Sequence, residues 1–206
     1  MAALPALLAE ATSGATIQLN TPVQTVSATS VIFGGGTRRA RAVVLATDAS
    51  STESLTEISS PPSNQVTTWW HAISIPVSRD LLVLDLDDNP ITNSAAMSAI
   101  APYAPEGKGL VASSAPGISE DPSAEPQVAE AVARQLQVAR SEVELVAISK
   151  ITNALPAMSV PLNLRPPLEI NGVYLAGDHR ATASIQGALA SGERVAKVLL
   201  NRFANA

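Results

Sequence analysis

"GVYLAGDHRATASIQGALASGERVA", residues 172–196, decides how the chain is read. An apolar run, Gly172 to Ala176, predicts a strand, and it ends in Gly177-Asp178. A short polar loop follows, then a glycine-studded amphipathic pattern that predicts a helix from about Ser184 to Leu200. In open α/β sheets ligands bind beyond the carboxyl ends of the strands, and a glycine there lets a ligand approach the backbone. Asp178 alone reads equally as a ligand acceptor or as a local cap of a strand-to-helix turn. The helix start, "TASIQGALASG", adds unpaired N–H groups and a positive dipole end with no lysine or arginine in it. Gly187 and Gly192 would let this helix pack close to the sheet or to a cofactor. A ligand with a hydroxyl for Asp178 and an electron-rich oxygen for the helix start fits the pair.

Working outward, "MAALPALLAEAT" predicts a short helix from Pro5 to Ala11, and Ala15 to Thr47 reads as β. "ATIQLNTPVQTV" and "SATSVIF" alternate around a polar turn, Gly34-Gly35-Gly36 makes another turn, and "TRRARAVVLAT" rises as a third strand. Its apolar end, Ala42 to Leu45, predicts burial on both faces, as in a helix-covered parallel sheet. Residues 49–65, polar with paired prolines, read as a linker or crossover. "TTWWHAISI", "RDLLVLDLD", "KGLVASS" and "VELVAISKI" are short strands. Between the last two, Val128, Val132 and Leu136 mark one face of a helix. That middle is an antiparallel or mixed α+β body, and "NALPAMSVPLNLRPP" returns from it in extended form.

Composition bounds the function. Of 206 residues 46% are hydrophobic and 15% charged, which excludes a disordered tail. Aromatics are 3%, so aliphatic side chains fill the core. A net charge of −5 argues against nucleic acid or an anionic membrane as partner. Without cysteine there is no disulfide and no thiolate metal site. No run reaches the roughly 18 apolar residues of a transmembrane segment, and the N-terminus has no basic region of a signal peptide.

The quoted motif, a strand ending in Ala-Gly-acid, then Gln-Gly-Ala, Ser-Gly and Glu-Arg, resembles the C-terminal flavin-binding segment of the FAD-dependent amine oxidase superfamily. That superfamily includes monoamine oxidases, protoporphyrinogen oxidases and phytoene desaturases. "LNTPVQTVSATSVIF…ARAVVLAT" is similar to its β-meander, and "ALP" at Ala154 to Pro156 fits as well. The resemblance implies an α/β fold: the C-terminal part of a two-domain FAD/NAD(P)-binding oxidoreductase with an inserted mixed-sheet substrate domain. It divides the chain into a partial FAD-binding piece (1–48), a substrate body (49–165) and a returning strand and helix (166–206).

It also implies roles. Gly177 would let the backbone approach the FAD pyrophosphate and ribityl chain, and Asp178 would accept from a ribityl hydroxyl. Ile185 would offer its N–H to the flavin N1/C2=O edge, flanked by Ser184 and Gln186. A helix N-terminus stabilises the negative charge that a reduced flavin gathers there. Val23 matches the residue whose backbone pairs with adenine, although its side chain reads as an ordinary core valine. Amine oxidases tend to carry an aromatic residue where Ser184 stands, so a desaturase-like or protoporphyrinogen-oxidase-like reaction on an apolar substrate is the expectation as much as amine oxidation. The family's opening Gly-x-Gly-x-x-Gly is absent. The expectation is therefore a truncated or split flavoprotein, cytoplasmic or organellar, that needs an N-terminal flavin-binding partner segment. The rival is a non-catalytic remnant that binds no flavin.

Other constellations carry no chemistry. "DLDDNP" (Asp85 to Pro90) has Pro90 where a calcium loop needs glycine, and reads as a solvated turn. Arg38, Arg39 and Arg41 read as a wet strand face, and His71 as a partly buried strand histidine rather than a cavity wall. His179 and Asp178, as neighbours on extended chain, would point apart.

Overall fold

The computed structural model describes residues 3–12, 14–77, 82–86, 90–161, 163 and 166–205. Elements are numbered in chain order. Helix α1 (Ala3–Ala11) forms as the sequence predicts and buries none of its side chains. A meander of β1 (Val23–Ser27), β2 (Ser30–Phe33) and β3 (Gly36–Arg39) follows, each link a two-residue turn. Gly34-Gly35 is the second of these turns, as expected. The β pattern does not extend upstream to Ala15: Asn20 takes a positive φ of 54° and Pro22 has no N–H to donate. Arg38 and Arg39 are exposed on β3, whereas Arg41 lies past its end, 4.0 Å from the Phe203 ring centroid.

"TRRARAVVLAT" is two strands in two sheets rather than one. After β3 the chain breaks and re-enters as β4 (Val44–Leu45), parallel to β11 (Val173–Leu175). A short β10 (Glu169–Ile170) completes the order β10-β11-β4. The β10–β11 turn is Asn171-Gly172 with φ of 52° and 81°, the positive pair that a type I′ hairpin requires and that Asn-Gly favours. Burial of the β4 end is one-sided: Val43 and Leu45 are buried, but Val44 is 41% exposed. On one face Leu45, Val173 and Leu175 meet Val26, Leu55 and Ile58. On the other, Tyr174 and Ala176 meet Val195 and Leu199 of α5 (Ile185–Ala204). Val44 pairs with Tyr174 and so shares the α5 face, yet α5 leaves it uncovered.

Residues 49–65 are not a plain linker. Asp48 caps α2 (Ala49–Thr56), and β5 begins at Ser63. The helix is eight residues of mostly serine and threonine, too short and too polar to show a 3.6-residue apolar period. Strand β5 (Ser63–Ile73) is central in a five-stranded sheet with β6 (Leu82–Leu84), β7 (Asn93–Ala96), β8 (Gly109–Pro116) and β9 (Val143–Pro156). The order is β6-β7-β8-β5-β9 and every described pairing is antiparallel, which resolves the choice between antiparallel and mixed. Strand β7 and the one-turn α3 (Met97–Ile100) were not foreseen, because "NSAAMSAI" has neither β-branched residues nor a usable period. Helix α4 (Ala124–Leu136) lays Val128 and Val132, both fully buried, on Trp69, Ile73, Val111 and Val143. Each such buried valine contributes roughly 1.5–3 kcal/mol. His71 faces the same interior at 0% exposure, as a strand histidine should. Of the "DLDDNP" turn, Asp87 to Asn89 lie outside the described residues.

Candidate cofactor site at the ends of two parallel strands

Because β4 and β11 run parallel, their carboxyl ends, Thr47-Asp48 and Gly177-Asp178, open side by side. Gly177 has φ 152°, and a Cβ there would lie 3.1 Å from the Thr47 carbonyl oxygen and 2.5 Å from His179 Cε1. No side chain can be fitted at that junction. The Gly177 N–H donates to Ser191 Oγ (2.8 Å), which itself donates to the Ala188 carbonyl (2.8 Å). Those two bonds clip the first turns of α5 to the end of β11.

Asp178 opens a single 3-10 turn, Asp178–Arg180. The chain is therefore not extended here, and the expectation that Asp178 and His179 point apart fails. The Asp178 carboxylate accepts the His179 N–H at 2.8 Å, and His179 Nδ1 stands 3.9 Å from the same oxygen. The carboxylate remains 27% exposed, while the imidazole is 1% exposed and neither ring nitrogen has a hydrogen-bond partner. Burial and the Arg180 guanidinium hold the imidazole below its ordinary value, against the pull of Asp178 and Asp48.

Ser184 is the N-cap of α5. Its Oγ accepts the Gly187 N–H at 3.0 Å, and its hydroxyl is 2.9 Å from that of Thr182. The Ile185 and Gln186 amides find no acceptor among the described residues, so two donors at the positive end of a 20-residue helix stay available. Asp178 does not cap this helix. Gly187 does serve close packing, but not against the sheet: a Cβ would fall 1.9 Å from the Thr182 carbonyl oxygen. Gly192 faces open space and has no such role. The structure thus gathers Gly177, Asp178, Ser184, Ile185 and Gln186, whereas Val23 lies at the start of β1, in another sheet, 39% exposed.

One carboxylate bordering these residues was missed. Asp48, at the end of β4, accepts from Ser51 N (3.0 Å), Ser50 Oγ (2.7 Å) and Ser51 Oγ (2.7 Å), bonds that lower its carboxyl to about 2. The signal was available: Asp-Ala-Ser-Ser after an apolar run is an N-cap pattern. Beyond α2, Asn153 Nδ2 donates to Ser50 Oγ (3.1 Å) and ties β9 to this end of the molecule. There the sheet face opposite α4 holds a cleft of about 660 Å³, bounded by Asn64, Gln65, Asn93, Ser114 and Leu155 and, among the described residues, lined by no charged side chain. Farther along that face Thr68 and Ser114 share a hydrogen bond (2.8 Å) and Trp70 Nε1 donates to Ser149 Oγ (3.0 Å).

A parallel strand pair with a clipped C-terminal helix, beside an antiparallel sheet, defines the class: a portion of an α/β FAD-binding fold. A protein assigned provisionally as a protoporphyrinogen oxidase, from Exiguobacterium sp. 255-15, superposes with a TM-score of 0.71 at 15% identity, over 97% of this chain and 51% of its own. An oxidoreductase from Methanosarcina mazei gives 0.63 at 17% over 96% and 52%, and the glycine oxidase of Geobacillus kaustophilus gives 0.57 at 19% over 94% and 51%. This chain thus spans about half the length of the structures it resembles. No protein among the curated sequences matches it. The profile of flavin-containing amine oxidoreductases matches residues 1–200, and the chain belongs to that family.

The residues present fit part of an FAD molecule. Gly177, bare of a side chain, the part-exposed Asp178 carboxylate and the two free amides of α5 suit a polyol chain and a carbonyl-rich ring edge. Nothing among the described residues forms a glycine-rich cradle for a diphosphate.

Proposed function

We propose that this chain supplies the ribityl-binding and flavin-edge-binding half of an FAD-dependent oxidoreductase, together with the floor of its substrate cavity. The observation that carries the reading is the meeting of Gly177 and Asp178 with the unpaired amides of Ile185 and Gln186. When bound, the flavin would accept a hydride from a C–N or C–C bond of substrate. This chain would hold and orient it: Asp178 accepting from a polyol hydroxyl, the α5 amides donating to the ring edge, Ser184 and Gln186 flanking, and Val23 lending its backbone to the adenine. The cleft at Asn93 and Ser114, with no charged side chain among the described residues that line it, favours a neutral substrate over a cationic amine, since a buried cation needs a paired carboxylate. Residues 49–165 would form the substrate body, and 1–48 with 166–206 the flavin-holding part.

The bare surfaces support a requirement for an N-terminal partner segment. Among the described residues β4 pairs on one side only, Val44 is uncovered, and the outer stripe of α5 exposes Ile185, Leu189 and Leu200. A free parallel edge with an apolar slot above it fits a strand-helix unit, and a glycine-rich turn within that unit would bind the diphosphate. Co-expression of the chain with such a segment tests the reading: a flavin absorbance spectrum that co-purifies supports it. Within that complex Asp178→Ala should weaken FAD binding roughly ten- to a hundredfold, as loss of a bond to a charged acceptor does. An unchanged dissociation constant would remove Asp178 from the site.

A further inference from the structure

His179 is a buried titratable group that the proposed cofactor contacts leave unused. Its ring is wedged under Gly177, where an added Cβ would lie 2.5 Å from Cε1 and 2.6 Å from Nδ1. Neither nitrogen has a partner, although a neutral imidazole always carries one N–H to donate. The groups acting on it are Asp178 and Arg180 from its own turn and Asp48 from the β4–α2 junction; Arg194 of α5 reaches the Arg180 carbonyl instead (2.6 Å). The Asp178 carboxylate stands with Oδ1 3.9 Å from Nδ1, just outside hydrogen-bond reach.

We infer that His179 is a positioning residue that makes cofactor holding at Asp178 sensitive to protons. While His179 is neutral, the Asp178 carboxylate stays turned to the ligand side, held only by the His179 N–H. A proton on Nδ1 converts the 3.9 Å gap into a charge-assisted bond, and the carboxylate swings inward, away from a ribityl hydroxyl. Low pH and bound flavin therefore oppose each other. This rests on the proposed flavin site, but the coupling between the two side chains does not.

The test has two arms. In the chain alone, which holds only two histidines, ¹⁵N-imidazole NMR follows the titration of His179, identified by its loss in His179→Gln. Asp178→Asn should move that titration to lower pH; an unmoved curve overturns the inference whether or not flavin binds. In the complex reconstituted with a glycine-rich segment, FAD affinity should fall as pH drops below the imidazole's titration, by up to about tenfold per pH unit. His179→Gln should flatten that fall. A purely structural role would lower affinity equally at every pH, and that outcome, or a fall that persists in His179→Gln, also overturns it. A moved titration with no flavin bound at any pH keeps the histidine–aspartate coupling and removes the flavin reading instead.

Discussion

Gly187 and Gly192 stand on one helix and differ only in what surrounds them. A side chain at 187 must push the Thr182 carbonyl aside, and that loop also carries Ser184, the cap of α5. Gly187→Val should cost several kcal/mol, beyond the roughly 1–3 kcal/mol of ordinary overpacking, and weaken any cofactor binding with it. At 192 the space is open, so Gly192→Ala should stabilise the protein by about 1 kcal/mol through helix propensity alone. Urea denaturation of both variants measures this; equal effects of one sign would refute the contrast. The sequence presents two similar glycines because packing against the carbonyl of Thr182, across a loop turn, leaves no local signature. His71 shows the same limit. Its burial was readable from strand context, but not Glu125 Oε1 at 3.7 Å from Nε2 with Arg140 3.9 Å from the same oxygen.

Elements were legible where a period or a turn chemistry marks them. Helix α4 with Val128 and Val132, the Gly34-Gly35 turn and the strand into Gly177 follow from spacing alone. Helix α2 does not, because its stability lies in its cap rather than in an apolar face: Asp48 accepts three bonds and fixes the helix start at the end of β4. Asp48→Ala should cost about 1 kcal/mol. The folded-state value of about 2 lies below the ordinary 3.8, so the cap's contribution is full above pH 4 and fades as pH falls toward 2. The histidines act in a higher window. Burial lowers both, His71 chiefly by loss of solvent, so the unfolded chain takes up protons first. Stability is complete above the unfolded value of 6.5 and declines as pH falls below it. Unfolding free energies measured between pH 8 and 2 should show both declines, with the lower one reduced in Asp48→Ala, since Asp121 and Glu193 are also held below their ordinary values and keep part of it.

At the scale of the whole molecule, the proposed reading concentrates the contacts this chain would make with FAD at the polyol and ring edge. Immobilising a long, doubly charged cofactor costs more than a few such hydrogen bonds return. Among the described residues, β4 has an unpaired parallel edge and α5 exposes the apolar stripe of Leu189 and Leu200. Apolar surface of that kind promotes association. Purified by itself, the chain should therefore be colourless, oxidise nothing and self-associate. Leu189→Lys with Leu200→Lys should reduce the self-association without unfolding the protein, since both side chains are about half to two-thirds exposed and touch no core. The same pair should also block assembly with a glycine-rich strand-helix segment, because the stripe cannot serve both. Analytical ultracentrifugation with and without that segment separates the outcomes. If the lysine variants associate as the parent does, contacts elsewhere hold the copies together and the α5 stripe is not the docking face. A monomeric parent chain carrying one flavin each would show that these residues need no partner, and would place the diphosphate on donors other than a glycine-rich turn.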